Sequence, residues 1–577
     1  MAAISDLDRV SSIVLRYMRA PVLVLLATYG IGITGMALMP GLETESGSGK
    51  MNLFHAFYFF TYTATTTGFG EIPSPFSEAQ RLWATICLYV GVIAWLYAVG
   101  SMIKLAQHPE LLTAIGERRF SRRVRSISEP FSIICGFGDT GSLLARGLSE
   151  NFCAAVVIDS DTERIKALNL RDYRVKMAGL CADSSVPQHL LAAGVTRSNC
   201  RALVALTSHE DTNLKIAVMA RSLNPSVRII CRSTNQRNRE HLETLGGVTI
   251  VDSYEIFSRQ LRTAITMPLL YSWEEWLLSV PGIDLEDPVC APKGNWILCG
   301  YGRMGRALNN ALNERKIPTT IVDPDQVPGK PELHQVIGRA GVTTLQKAGI
   351  SEAVGVVAGT DSDEDNLGIL LTARRLNPEV FLVVRQNRHE NELAFNAAHA
   401  NLIMQPSLIT ARRILLMLSA PLMLDLRIYL REKGRHRVRD VLEGTRNIFN
   451  GEKLQLWTES LAERSCTVAR LRTQGLRPTL GDIMRSSADR DQRLSAIPLV
   501  LKRREELIML PGEEVELLTN DAILFCGTER AHRHINANLN NPYTLRYLHL
   551  GEDEPRSLLA QWLLSRVSLT GFTGIIR

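Results

Sequence analysis

The 577-residue chain contains ten cysteines but no C-x-x-C pair, and Cys135, Cys231 and Cys299 lie inside apolar, strand-like runs. Reduced core thiols are the reading that fits, which places the soluble part in the cytoplasm. Long apolar runs are also scarce. Two windows, Pro21 to Met39 and about Leu82 to Leu105, reach the roughly 20 residues that cross a hydrocarbon core of about 30 Å. A many-span transporter is excluded on that ground. No arginine-rich helix is present to sense voltage, no A-x-A cleavage site follows the first window, and the net charge of +6 is spread along the chain, unlike a nucleic-acid-binding tail or stripe. With 45% hydrophobic residues and a mean hydropathy of +0.01, a small membrane part carrying a large soluble part is expected.

Charge sets the orientation. Arg9, Arg16 and Arg19 precede the first window, while Lys104, Arg118, Arg119, Arg122, Arg123 and Arg125 follow the second. By the positive-inside rule both ends are cytoplasmic in a cell membrane, and residues 41 to 80 lie on the other side. The charged stretch Asp6 to Arg19 is expected to lie along the membrane surface.

Between the two spans a short aromatic helix, Leu53 to Tyr62, leads into "TATTTGFGEIP", residues 63 to 73. Irregular backbone at membrane depth is tolerated only where it is buried in protein or lines a watery path, so a conduction path is implied. The Thr66 hydroxyl and successive backbone carbonyls can form stacked oxygen rings that replace a cation's hydration shell, and Gly68 and Gly70 permit the twists that turn carbonyls inward. The order Thr63, Thr65, Thr66, Thr67, Gly68, Phe69, Gly70, Glu71 resembles the potassium-channel signature T-x-T-T-V-G-Y-G-D. Here Thr67 stands for valine, Phe69 for tyrosine and Glu71 for aspartate. The resemblance implies a selectivity filter of Thr66, Thr67, Gly68, Phe69 and Gly70, with potassium held at Thr66 to Phe69. It also offers Gly91, in mid-span, as a gating hinge, the other reading being close packing.

The soluble part repeats itself. "FSIICGFGDTGSLLARGL" begins at Phe131 and "NWILCGYGRMGRALNNAL" at Asn295, each an apolar strand, a G-x-G-x-x-G loop and a helix, with Asp159 and Asp323 both 23 residues beyond the first glycine. Two Rossmann-like halves follow. The nucleotide-binding candidates are Gly136, Phe137, Gly138, Asp139, Thr140, Gly141, Asp159 and Ser160, repeated as Gly300, Gly302, Arg303, Met304, Gly305 and Asp323. The glycines let backbone approach a pyrophosphate at a helix N-terminus, and the acid can accept ribose hydroxyls. Asp211 with Asn213, and Asp363 with Asn366, sit at strand ends where such a site is completed, or else cap the helices that follow.

Pore and paired Rossmann units together resemble the prokaryotic two-span, ligand-gated potassium channels with tandem RCK domains (regulators of potassium conductance). The resemblance implies a homotetramer with eight RCK domains in a cytoplasmic gating ring, set among membrane lipid and gated by NAD or ADP. It places Asp183 of "LCADSS" near the nucleotide, whereas the second unit has "IGRAG" with Arg339. The two sites should differ. Calcium is a further candidate through Glu210, Asp211, Asp361, Asp363, Glu364 and Asp365, although these lack the spacing of a calcium loop.

The expected boundaries are a pore domain over 1–105, a charged connector over 106–127, a first Rossmann unit over 128–268 and a linker with Trp273 and Trp276 over 269–292. A second Rossmann unit then covers 293–430 and a small α+β lobe with the tail covers 431–577, its strands falling within 497 to 528. A nucleotide-dependent oxidoreductase would need a substrate domain with an acid or base that is not evident here. A potassium transporter with similar modules would need more spans or several filter-like hairpins.

Overall fold

The computed structural model describes residues 2–42, 50–70, 75–277, 291–326, 334–388, 391–433, 435–448, 452, 454–462 and 465–552. Contacts divide it into two units, Met1–Ser126 and Ile127–Arg577. The first holds four helices: α1 (Ala2–Leu38), α2 (Leu53–Ala64), α3 (Glu78–Ala106) and α4 (Pro109–Arg125). Within α1 (from Ser11) and in α3 are two segments long and apolar enough to cross a membrane. The chain is a membrane protein.

One expectation changes here. The surface segment Asp6 to Arg19 and the span beginning at Pro21 are a single helix, with Pro21 inside α1. No polar or glycine break separates Arg19 from Val22, and proline is tolerated within membrane helices. At the other end Ser77 caps α3 with a reciprocal Gln80 bond, and its hydroxyl donates to Pro40 O at 2.6 Å, tying the start of α3 to the end of α1. The helix α3 runs unbroken through Gly91. A Cβ there would meet Ala64 Cβ and Phe60 Cζ, both at 3.2 Å, so close packing against α2 already accounts for the glycine.

The second unit contains two parallel sheets of six strands. The first is built from β1 (Phe131–Cys135), β2 (Ala154–Asp159), β3 (Met177–Cys181), β4 (Cys200–Ala205), β5 (Arg228–Arg232) and β6 (Val248–Val251) in the order 3-2-1-4-5-6. Its central strands are buried throughout, which is why they read as near-continuous apolar runs. The second comprises β7 (Trp296–Cys299), β8 (Thr319–Asp323), β9 (Gln335–Ile337), β10 (Gly355–Ala358), β11 (Phe381–Arg385) and β12 (Leu402–Met404). Its order, 12-11-10-7-8-9, is the same topology. This is the doubly wound arrangement that places ligands at the carboxyl ends of the central strands.

The halves exchange helices. Tyr254, Phe257 and Leu261, from the last helix of the first half, join the core under the second sheet with Trp296, Leu308 and Leu312. In return Ala411, Ile414 and Met417 pack with Leu144, Ala145 and Leu148 of the first half. A cut near residue 268 would therefore strip an apolar face from each half. A third, antiparallel sheet of β13 (Leu454–Ser460), β14 (Ala496–Arg503), β15 (Glu506–Met509) and β16 (Asp521–Thr528), in the order 13-16-14-15, forms the C-terminal lobe. Strand β13 falls before the expected 497–528 strand region. It was hidden because its partner β16 lies far along the chain, so only the alternation of buried Leu454 and Leu456 marks it locally. The linker also starts as a helix, Pro268–Leu277, whose fully buried Trp273 belongs to the core of this lobe. Residues 278–290 of the expected linker lie outside the described residues.

Candidate functional site

The segment after α2 turns back on its own helix: the Thr67 and Gly68 N–H groups both donate to Tyr62 O, at 2.9 and 3.3 Å. Beyond it Thr66 (φ 60°), Gly68 (φ 62°) and Gly70 (φ 76°) are left-handed, while Thr67 and Phe69 are not. A strand points successive carbonyls to opposite sides. Alternating the backbone hand turns them to the same side instead, which is what a column of oxygen ligands requires. Thr66 is the residue the sequence did not single out for this. A non-glycine residue in the left-handed region costs about 1–3 kcal/mol, and such strain gathers at functional positions. Glu71 lies outside the described residues.

In the first Rossmann half, Gly136 ends β1 with φ 103°, and a Cβ on it would come within 2.8 Å of Leu206 C. A Cβ on Gly141 would sit 2.1 Å from Gly136 O. Only glycine fits either place. The helix α5 (Asp139–Glu150) starts from Gly138 with no side-chain cap, so its first N–H groups are open to an anion. A cleft of about 460 Å³ lies here, lined by Gly136, Gly138, Asp139, Thr140, Gly141, Asp159, Ser160, Asp183 and His209, with Arg164 and Arg232 bringing positive charge. That volume falls in the range of ligand sites, roughly 300–1,000 Å³. Phe137 is the exception among the first-half candidates. Its ring is buried in the core, and only its N–H takes part, donating to Asp159 Oδ2 at 2.5 Å.

Asp159 does more than the sequence suggested. Its Oδ1 accepts from the Asp161 N–H at 2.8 Å and Arg164 Nη1 lies 3.5 Å from Oδ2, so the acid braces the glycine loop from inside the chain. A carboxylate has about four lone-pair sites, which leaves acceptor capacity for ribose hydroxyls. Asp323 makes the same two backbone bonds, to Tyr301 N (2.6 Å) and Asp325 N (2.9 Å).

The second loop differs at its first helical residue. Gly300 is left-handed (φ 94°) and Gly305 packs on Gly300 O as its counterpart does. Gly302 caps the helix, Met304 is buried in the core and Arg339 is exposed. Arg303 reaches into the first half, where Nη1 donates to Thr234 Oγ1 at 2.8 Å and Cζ stands 5.3 Å from the Tyr254 ring centre. It clamps the halves.

The strand-end residues need correcting. Asn213 is fully buried, accepts from Thr207 N and Oγ1 at 2.8 and 2.7 Å, and donates to Thr207 O and Arg232 O at 3.2 and 3.1 Å. Asn366 repeats the pattern with Thr360 and Arg385. With these bonds each is a staple between neighbouring strand ends, with no donor left over for a ligand. The structural partner of Asp363 is Glu210, not Asp211. Asp363 accepts from Asn387 N, Arg388 N and Asn391 Nδ2, and Glu210 from Ser233 Oγ, Thr234 N and Oγ1, and Asn235 N. Burial acts to raise both carboxyls, but these bonds outweigh it and hold each below the usual range. Asp211 accepts from Asn238, Asp361 pairs with Arg385 at 2.6 Å, and Glu364 and the Asp365 N–H bond Ser362. Among the described residues no group of three or more His, Cys, Asp or Glu side chains could hold a metal ion.

A pore-like hairpin between two spans, joined to paired nucleotide-type folds, defines the class. Residues 22–108 match the Ion channel family, and residues 132–253 and 296–406 match the TrkA-N domain family. The chain thus combines a segment similar to the Ion channel family with two segments similar to the TrkA-N domain. An uncharacterised protein of Methanothermus fervidus is 31% identical over 222 residues, covering 38% of this chain and 34% of its own. Probable potassium channel protein 2 of Methanocaldococcus jannaschii is 30% identical over 138 residues, 22% of this chain and 40% of its own. This chain thus spans well under two thirds of the length of either relative. Among solved structures, the GsuK channel bound to NAD aligns over 92% of this chain and 99% of its own, at 18% identity and a TM-score of 0.47.

Proposed function

We propose that the protein is a potassium-selective channel, tetrameric in a cell membrane with both termini cytoplasmic, whose opening is set by an adenine nucleotide, NAD or ADP, in the first-half cleft. The observation that carries this is the alternating backbone hand at Thr66, Gly68 and Gly70. One chain supplies a quarter of each oxygen ring, so four copies about a common axis are required. Potassium flux from liposomes holding the purified chain tests the reading, and a flux that ignores the potassium gradient sinks it. The second half, with Arg303 turned away into the clamp and Arg339 in place of an acid, is a weaker nucleotide site or none. Gly91 serves packing first in this reading.

Ligand binding reaches the gate through residues 106–127. Here α4 carries Gly116 in mid-helix, with open space around it. Moving a gate from 1:99 to 99:1 takes about 5.5 kcal/mol, under about 1.5 kcal/mol from each of four subunits. Inserting a flexible Gly/Ser stretch at Gly116 should leave nucleotide affinity nearly intact while open probability in bilayer recordings stops responding. A full-amplitude response from the lengthened channel would rule out transmission along α4.

A further inference from the structure

Helix Pro406–Ser419 is followed, across a bend of 103°, by Met423–Lys433, and the last helix of the first half, Ser253–Thr266, packs against it. At this crossover Arg412, Arg413 and Arg427 line a niche with two carboxylates, Glu274 and Glu275, and Arg431 acts on both Glu274 and Arg413. Three of the four arginines have partners. Arg427 Nε lies 2.7 Å from Glu274 Oε1, Arg412 Nη1 lies 3.3 Å from Glu275 Oε2, and Arg431 Nη2 donates to Thr263 Oγ1 at 3.0 Å. Arg413 has no ion pair or hydrogen bond among the described residues.

Arg413 is partly buried, and a desolvated charge without a hydrogen-bonded partner is costly and is ordinarily paired, hydrogen-bonded or neutralised. Neutralisation is closed to Arg413. Burial first, then repulsion from Arg427 and Arg259, lowers its pKa only to about 10, so it stays charged at neutral pH. Burial also pushes the Glu274 carboxyl up, against the pull of Arg427 and Arg431. The niche lined by Arg412, Arg413, Arg427, Glu274, Glu275 and Gln260 has a volume of about 30 Å³, its remaining wall apolar. One water needs roughly 10–15 Å³ by this measure. There is room for a small ion and not for a nucleotide.

We infer that this niche binds a small inorganic monoanion of chloride size, held by Arg413 together with Arg412 and Arg427. Such an ion completes the charge balance of the crossover at which helices of both halves meet. Its site is separate from the glycine-loop cleft, so it is a second input to the same soluble unit.

The test is thermal unfolding of the purified full chain in sodium chloride against sodium gluconate at equal ionic strength, with bromide used as a diffraction probe. Gluconate is too large for the niche. The expected Tm is about 2 °C higher in chloride, as a weak ligand near saturation gives. Arg413→Met should abolish the difference and be no less stable than the parent in gluconate, since it removes an unpaired charge and keeps an unbranched side chain. Crystals of the parent grown in sodium bromide should show an anomalous peak within hydrogen-bonding distance of the Arg413 guanidinium. Equal Tm values in the two salts, a full chloride response in Arg413→Met, or no peak at saturating bromide would each overturn the inference. A stability that follows protein concentration and not the anion would overturn it too, and would assign Arg413 to an acid of a second copy.

Discussion

Replacing Gly70 with alanine should reduce potassium flux to background while the soluble unit stays folded. Space is not the reason, because a Cβ on Gly70 meets nothing nearer than Gly68 O at 3.9 Å. The reason is its φ of 76°, which costs an L-residue roughly 1–2 kcal/mol. In a tetramer four such costs fall on one ring, roughly 4–8 kcal/mol in all. Relaxation would rotate the neighbouring peptide and take its carbonyl away from the ion path. Conduction needs every oxygen ring, so the loss is near complete and not graded. Flux assays on reconstituted protein, beside circular dichroism and nucleotide titration of the same sample, separate the two units. Flux at half the parent level or more would show that these carbonyls do not line the path.

Asp159→Asn should lose preference for NAD over NADP. Two effects are mixed in this substitution and can be told apart. Asparagine leaves one of the two N–H groups, of Phe137 or Asp161, facing an amide NH₂, and an unsatisfied donor costs about 1–3 kcal/mol. That weakens every ligand equally by loosening the loop. The carboxylate's charge acts selectively, since it favours a ribose 2′-hydroxyl and repels a 2′-phosphate. The ratio of NAD to NADP affinity should therefore fall by about 10- to 100-fold, equivalent to a lost charged hydrogen bond of about 1.5–3 kcal/mol. Paired calorimetric titrations measure it. An unchanged ratio with both affinities lowered would make Asp159 a brace alone.

The two glycine-loop folds and the spans were legible because each is a local pattern: a strand, fixed glycine spacings, an apolar length. What stayed hidden depends on partners far along the chain. Arg303 looked like one more loop residue, since Thr234 lies 69 positions earlier. The sequence leaves Asn213 between completing a binding site and capping the next helix, and its bond to Arg232 O on the neighbouring strand can only be seen once β4 and β5 are side by side. Repeat alignment paired Asp211 with Asp363 by residue type, whereas Glu210 makes the equivalent bonds to the loop after β5. The exchange of helices between halves was also invisible. An amphipathic helix shows that it has an apolar face, and nothing in its own sequence says whose core covers it.

The Thr234 hydroxyl accepts from Arg303 and donates to Glu210 Oε1 at 2.5 Å, and the same loop follows Arg232, which lines the first-half cleft. Thermodynamic reciprocity then applies. If occupation of the cleft favours one setting of this loop, it must tighten the hold of Arg303 by the same factor by which that hold raises ligand affinity. The second glycine loop, having given its leading helical residue to this contact, would then act as a built-in effector of the first. Sequence drift at Arg303 would be read out as altered sensitivity at a site it does not touch.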